Sequence, residues 1–352
     1  MRRLIYMLGC ALMAVVLFSC EKKFDLKMDG EKIIFVECFP GIKDFIALKV
    51  LPALPLNCDY DINSFSPDVK LMVNGDMVEV KYMEQGDSLR EIPAGYWVAE
   101  YAPLPDDRVK VVVSADGFET VESETVVPIP LSDYKLDYEV YDAVADTVVV
   151  LDPVDSVGAE PNYNLWLNVR LEVKDSPKAG DAYGIQFVRE TISTYVNFRG
   201  GVQRDTSVYY SSGVVPDMSD TPLLPQTSTV LNVKFDGISC NTYDGVIMFL
   251  DRKFNGGNAV LEAVNTYSQG FTIEEKDETG RHALYSEKYR YKIRIYRFTS
   301  DFSRYAYAQN QIDDNVFGEI GLAPAGYAYS NINNGAGILA GVLMSETDWL
   351  EL

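Results

Sequence analysis

The sequence predicts an all-β protein: an N-terminal immunoglobulin-like β-sandwich over residues 31–128, then a larger antiparallel β-sandwich or barrel-like domain over 131–352 with one short helix. Three observations carry that expectation. From Lys32 onward, short runs rich in β-branched and aromatic residues recur between turn signals. Further along, longer runs alternate apolar and polar residues with a period of two. Between the two series stands Pro128-Ile129-Pro130, a stiff connector, because proline cannot donate to a sheet ladder. A chain of 352 residues has core enough for both domains.

In the first series, Lys32–Phe39 and Ile46–Leu51 read as strands. Leu71-Met72-Val73 and Met77-Val78-Glu79-Val80 flank Asn74-Gly75, the strongest short-range hairpin signal, since both central positions need positive φ. Tyr96–Tyr101, Arg108–Ser114 and Phe118–Val127 follow, with Asp116-Gly117 as a further turn. About seven short strands in about 100 residues fit a two-sheet sandwich. In the second series, Leu165, Leu167, Val169, Leu171 and Val173 point one way, and Asn164, Trp166, Asn168, Arg170 and Glu172 the other, giving one dry and one wet face. Thr229–Phe235 and Tyr289–Phe298 read likewise, and 198–228, rich in Gly, Ser, Asp and Pro, reads as a long loop or excursion. The helix starts near Ser300 as N-cap, with Asp301 in the positive first turn and Phe302, Tyr305 and Gln309 on one face.

The first thirty residues are an address. Arg2 and Arg3 precede an apolar run from Leu4 to Phe18, too short for a comfortable membrane span, which ends at Ser19-Cys20 and the charged Glu21-Lys22-Lys23. Residues 1–19 are the expected signal peptide and 20–30 a lipidated tether. Leu17-Phe18-Ser19-Cys20 resembles a bacterial lipobox, in which the cysteine thiol is diacylated and the signal is cut before it. Each lipid methylene then contributes about 0.8 kcal/mol to membrane attachment. The alternative is an uncleaved N-terminal anchor helix. No later apolar stretch reaches spanning length.

Composition narrows the chemistry. There are 52 Asp+Glu against 31 Lys+Arg, net −21, a field that repels phosphate backbones, so no nucleic-acid partner is expected. The one histidine, His282, excludes multi-histidine metal sites, and no nucleophile elbow accompanies it. Asp59-Tyr60-Asp61-Ile62-Asn63 begins like a calcium loop, but Ser64 stands at the tight-turn glycine and Lys70 at the bidentate glutamate, which excludes an EF-hand and leaves only a looser site among loop acids open. No phosphate loop follows a strand and no cofactor is expected. Carboxylates are so abundant that no glycosidase-like pair stands out. Beyond Cys10 in the leader and Cys20 at the lipid site, Cys38, Cys58 and Cys240 remain. A Cys38–Cys58 bridge would close the shorter loop; otherwise they are buried free thiols.

One strand is unusual in so acidic a chain. Within Tyr289–Phe298, Arg290, Lys292, Arg294 and Tyr296 share a side, opposite Tyr289, Tyr291, Ile293 and Ile295, with Arg297 at the end. A basic stripe beside aromatics is a candidate site for an acidic ligand or a sugar. The competing reading is that neighbouring strands place acids opposite it as cross-strand pairs.

Three C-terminal segments resemble a known family. They are Phe249-Leu250-Asp251-Arg252-Lys253-Phe254-Asn255-Gly256, then Tyr296–Gln311 with Asp301-Phe302-Ser303-Arg304-Tyr305-Ala306-Tyr307, then Tyr329-Ser330-Asn331-Ile332-Asn333-Asn334-Gly335-Ala336-Gly337-Ile338-Leu339-Ala340-Gly341. With the lipobox they are similar to the domain of unknown function 4249 family, lipoproteins of Bacteroidetes often encoded beside TonB-dependent outer-membrane receptors. Ala336 and Leu339 depart from the family's usual Leu and Phe. The resemblance implies no catalytic residue. It implies a non-enzymatic lipoprotein, lipid-anchored and surface-exposed on the outer membrane, that works with such a receptor in nutrient capture. An adhesin or fimbrial-type assembly lipoprotein, in which the first module presents the distal domain or donates an edge strand, is the alternative, and a two-carboxylate hydrolase a third. The glycines of the last motif read as structural: Asn334-Gly335 as a tight turn, Gly337 and Gly341 for close backbone packing.

Overall fold

The computed structural model describes residues 32–55, 58–129, 131, 134–151, 157–174, 182–197, 201–210, 231–234, 245–250, 258–276, 278, 282–313 and 329–350. Among them the protein is all-β apart from one α-helix and a short 3-10 turn over Ile62–Ser64.

The first module contains β1 (Ile33–Cys38), β2 (Ile46–Ala53), β3 (Asp68–Val73), β4 (Asp76–Val78), β5 (Lys81–Met83), β6 (Tyr96–Ala99), β7 (Arg108–Ser114) and β8 (Val121–Val126). Strands β1-β2-β6-β5 make one sheet and β4-β3-β7-β8 the other. Alternation turns Ile34, Val36, Leu48 and Val50 inward against Val69, Leu71, Val111 and Val113, so the two sheets enclose one dry core. Asn74 and Gly75 adopt φ 55° and 92°, the positive pair that the β3–β4 hairpin requires.

Asp107 locks the loop entering β7. Its carboxylate accepts from Asn74 Nδ2 (2.7 Å), Tyr101 Oη (2.8 Å) and the Leu104 amide (2.7 Å). Burial works to raise its pKa, but the three hydrogen bonds outweigh it and hold the carboxyl below the usual range. Because the folded pKa lies below the unfolded value of about 3.9, this stabilisation is fully present above that value and is lost as pH falls through the folded one. Asp107→Ala is expected to cost about 1–3 kcal/mol at pH 7. Urea titrations should show the gap between variant and parent closing below about pH 4.

The second module is a long, curled antiparallel sheet. Its strands are β9 (Tyr134–Leu151), β10 (Val157–Lys174), β11 (Ala182–Val196), β12 (Val202–Tyr210), β13 (Leu231–Lys234), β14 (Gly245–Leu250), β15 (Asn258–Lys276) and β16 (His282–Phe298). The order is β13-β14-β11-β16-β15-β10-β9, with β12 beside β11. Strand β15 pairs with β10 over Asn258–Gln269 and then with β16 over Gly270–Lys276. That change of partner folds the sheet back on itself, so Leu167, Val169, Leu171 and Val173 of β10 pack on Ile185, Phe187, Tyr291, Ile293 and Ile295. Part of the expected loop at 198–228 is strand instead. Asn197 and Gly201 close a hairpin that returns β12 along β11, a polar run held by its partner rather than by any alternation of its own; 211–228 lies outside the described residues.

The helix α1 spans Ser300–Asp313 and buries Phe302, Tyr305 and Ala306, the i, i+3, i+4 face. It lies at the meeting of the modules. Phe302 stacks on Phe298 of β16 with centroids 4.2 Å apart and meets Phe39, just after β1, edge-on at 5.5 Å. Tyr305 donates to Glu37 of β1 at 3.3 Å, a carboxylate only 2% exposed.

The largest departure from the expected division at 131–352 is the final segment. Strands β17 (Ala336–Leu339) and β18 (Val342–Glu346) belong to different modules. Strand β17 adds in parallel to β1, with Val36 opposite Gly337. The segment also covers β8: Asn333 and Glu122 exchange backbone bonds, Ser123 Oγ donates to the Asn331 carbonyl at 2.9 Å, and the Gly341 amide donates to Thr125 Oγ1 at 3.0 Å. It thereby closes the sandwich between its two sheets. Strand β18 then pairs with β16 over Arg294–Phe298, and the ladder continues through Thr347 N to Ile293 O (3.0 Å) and Leu350 N to Tyr291 O (2.7 Å). One continuous stretch thus completes both sheets.

Candidate functional site

Strands β11 and β16 pair along their whole length, from Ala182 opposite Phe298 to Val196 opposite Leu284. Side chains alternate across the pair, which therefore presents an outer face and an inner one.

The outer face carries the basic stripe predicted from sequence, and the structure sets three of its four residues, Arg290, Lys292 and Arg294, in one row. Arg290 Nε donates to Glu190 of β11. Lys292 Nζ and Arg294 Nε converge on the Glu346 carboxylate of β18, at 2.9 and 3.1 Å. Burial acts to raise the Glu346 pKa, yet the two cations overcome it and hold the carboxyl below its usual range. Trp349 lies under this row, with the Arg290 guanidinium 4.7 Å and the Lys292 ammonium 5.1 Å from its ring centre. Tyr296, on the same side, is covered by the module junction, 2% exposed, and donates to Gln186 Oε1 at 2.6 Å instead of joining the row. Arg297 instead reaches the Ile129 carbonyl of the connector at 3.2 Å. So each of the stripe's three cations has an acid from a neighbouring strand, and the part left most open is Arg290, 46% exposed, above Trp349.

The inner face changes character along its length. Ile293 and Ile295 lie opposite Phe187 and Ile185 in the dry core, but beyond Tyr291 the pair turns polar. Arg189, Thr191, Ser193 and Tyr195 of β11 face the same way as Tyr289, Glu287 and Tyr285 of β16. Glu287 accepts from Tyr285 Oη on one carboxylate oxygen (2.6 Å) and from Tyr289 Oη on the other. The Ser193 and Tyr285 hydroxyls are 3.0 Å apart. The Arg189 guanidinium is 5.1 Å from the Tyr289 ring centre. Burial, and then the bond to Glu287, push the Tyr289 phenol well above its usual pKa, so it stays a protonated donor. Sequence reading placed Tyr289 on the apolar side and began the strand there, which left Tyr285 and Glu287 unseen. The alternation that continues back through Glu287 and Tyr285 was the available signal.

Other sequence candidates resolve locally. Asp61 caps the 3-10 turn, its Oδ1 accepting from the Asn63 amide at 3.0 Å, which accounts for the calcium-like run. His282 opens β16 opposite Lys276. Cys38 and Cys58 are both free thiols, and burial, then the neighbouring Glu37 charge, push the Cys38 thiol up, away from reactivity. Cys20 and Cys240 lie outside the described residues. No family model matches the chain, and no curated protein matches it.

Proposed function

We propose that the chain is a lipid-anchored, non-enzymatic accessory protein of a bacterial outer membrane, working beside a TonB-dependent receptor in nutrient capture. The observation that carries this reading is the N-terminal pattern: a basic start, a short apolar run and Leu17-Phe18-Ser19-Cys20 immediately before charged residues. The resemblance of the C-terminal segments to receptor-associated lipoproteins supports the same reading. The adhesin alternative depends on an open strand edge in the first module; at β1 and β8 the chain's own residues 331–341 take that place, and the outer strands on the other side are β5 and β4, three residues each.

Cells expressing the full chain and fed radiolabelled palmitate should incorporate label, and Cys20→Ala should abolish incorporation and release the protein from the membrane pellet. Unlabelled parent protein, or a Cys20→Ala variant that still sediments with membranes, contradicts the anchoring. Pull-down of the native chain from detergent-solubilised envelopes should recover a receptor; recovery without one contradicts the partnership.

A further inference from the structure

The inner polar end of the β11–β16 pair holds a hydroxyl that no described residue pairs with. Thr191 is 3% exposed, and its Oγ1 is buried with no hydrogen-bond partner among the described residues. A buried hydroxyl left unpaired is costly, so it is retained where something else pairs with it. Strand alternation puts it between Arg189 and Ser193, directly opposite Tyr289.

The surroundings define what could pair with it. Two tyrosine hydroxyls are fixed on Glu287, a serine hydroxyl is bonded to one of them, and tyrosine rings line the same face. A cation would have to displace both phenols from Glu287. An anion would meet Glu287 and the field of a chain of net charge −21, and among the described residues on this face of the pair only Arg189 opposes it. A neutral ligand with many hydroxyls and an apolar ring face meets neither penalty. It gives and takes hydrogen bonds with Thr191, Ser193 and the phenols, and it lays its C–H face on tyrosine.

We infer that this inner face, built from Thr191, Ser193, Tyr285, Glu287 and Tyr289, binds a neutral oligosaccharide. The inference deepens the nutrient-capture reading and rests on it for biological setting, but its chemistry is independent of anchoring and is tested separately. The probes are maltohexaose, xylohexaose, mannohexaose and chitohexaose, with inorganic phosphate and spermidine as charged counterparts, titrated calorimetrically into the detergent-solubilised full chain.

At least one hexasaccharide should bind with a Kd of about 1 mM or tighter. Thr191→Val, which keeps the shape and removes the hydroxyl, should weaken that binding about tenfold or more while raising the unfolding midpoint by about 2–4 °C, because the unpaired group is gone. Glu287→Gln, which frees the phenols, should weaken it as well. The opposed signs separate a ligand site from a structural hydroxyl. Binding of phosphate or spermidine alone, binding of no hexasaccharide, or hexasaccharide binding that survives both variants overturns the inference. Failure of palmitate labelling leaves these titrations unaffected.

Discussion

Gly337→Ala is expected to lower folding stability by about 3–5 kcal/mol, a large part of what holds a domain of this kind together. Gly337 has φ +103°, and a Cβ there would lie 2.0 Å from the Val36 carbonyl oxygen and 2.8 Å from its carbon. The obstacle is backbone of β1, which cannot rotate aside as a side chain would. Two costs therefore add: an alanine in left-handed conformation, and the spreading of the parallel β1–β17 pair. Gly75→Ala provides the comparison, since Gly75 also has positive φ (92°) but a Cβ there would meet nothing within 4 Å. It should cost only the conformational part, about 1 kcal/mol. Urea midpoints for the two variants check this, and equal losses would contradict the close approach.

Phe302→Ala should cost a similar amount, about 3–5 kcal/mol. The ring is fully buried, stacked on Phe298 and edge-on to Phe39. Its removal leaves a cavity that helix, sandwich and curled sheet all border, and the backbone on each side is fixed by a ladder, so little collapse is available to fill it. The chain's three tryptophans report from both modules, Trp97 in the first and Trp166 and Trp349 in the second. Both sets should shift to lower urea together. A shift confined to one set would mean that the junction core does not couple the modules.

What local sequence could show, it showed. Asn74-Gly75 specified its hairpin because positive φ at two successive positions is a local requirement. The alternation from Leu167 to Val173 revealed a dry face because burial on one side of a strand is written in every second residue. The destination of the last strand was not local. Nothing in Ala336–Leu339 indicates that it pairs with a strand some 300 residues earlier, although the glycines and asparagines around it were readable as turn and close-packing residues. Their roles are now explicit. Asn331 lends its side-chain amide to both the carbonyl (2.8 Å) and the amide (3.0 Å) of Leu339, Ile332 enters the sandwich core, and Asn334 turns the chain at φ 60°.

The outer stripe was legible as a pattern of charges but not as an occupied one. The acid that answers Lys292 and Arg294 comes from β18, more than 50 residues on. The inner cluster was hidden for a different reason. Tyr285 and Tyr289 count as apolar in a periodicity reading, so Glu287 alone marks the change in sequence, and the register with Thr191 and Ser193 shows that the whole face turns polar beyond Tyr291.

The central structural claim is that residues 329–350 bind both modules into one cooperative unit. Native-state hydrogen exchange on the intact chain and on Gly337→Ala tests it directly. Core amides of β1 and of β10 should open with the same free energy in the parent, and both should lose protection by the same amount in the variant. Loss confined to β1 and β8, with β10 and β16 as protected as before, would show that the modules stand separately and would contradict the claim.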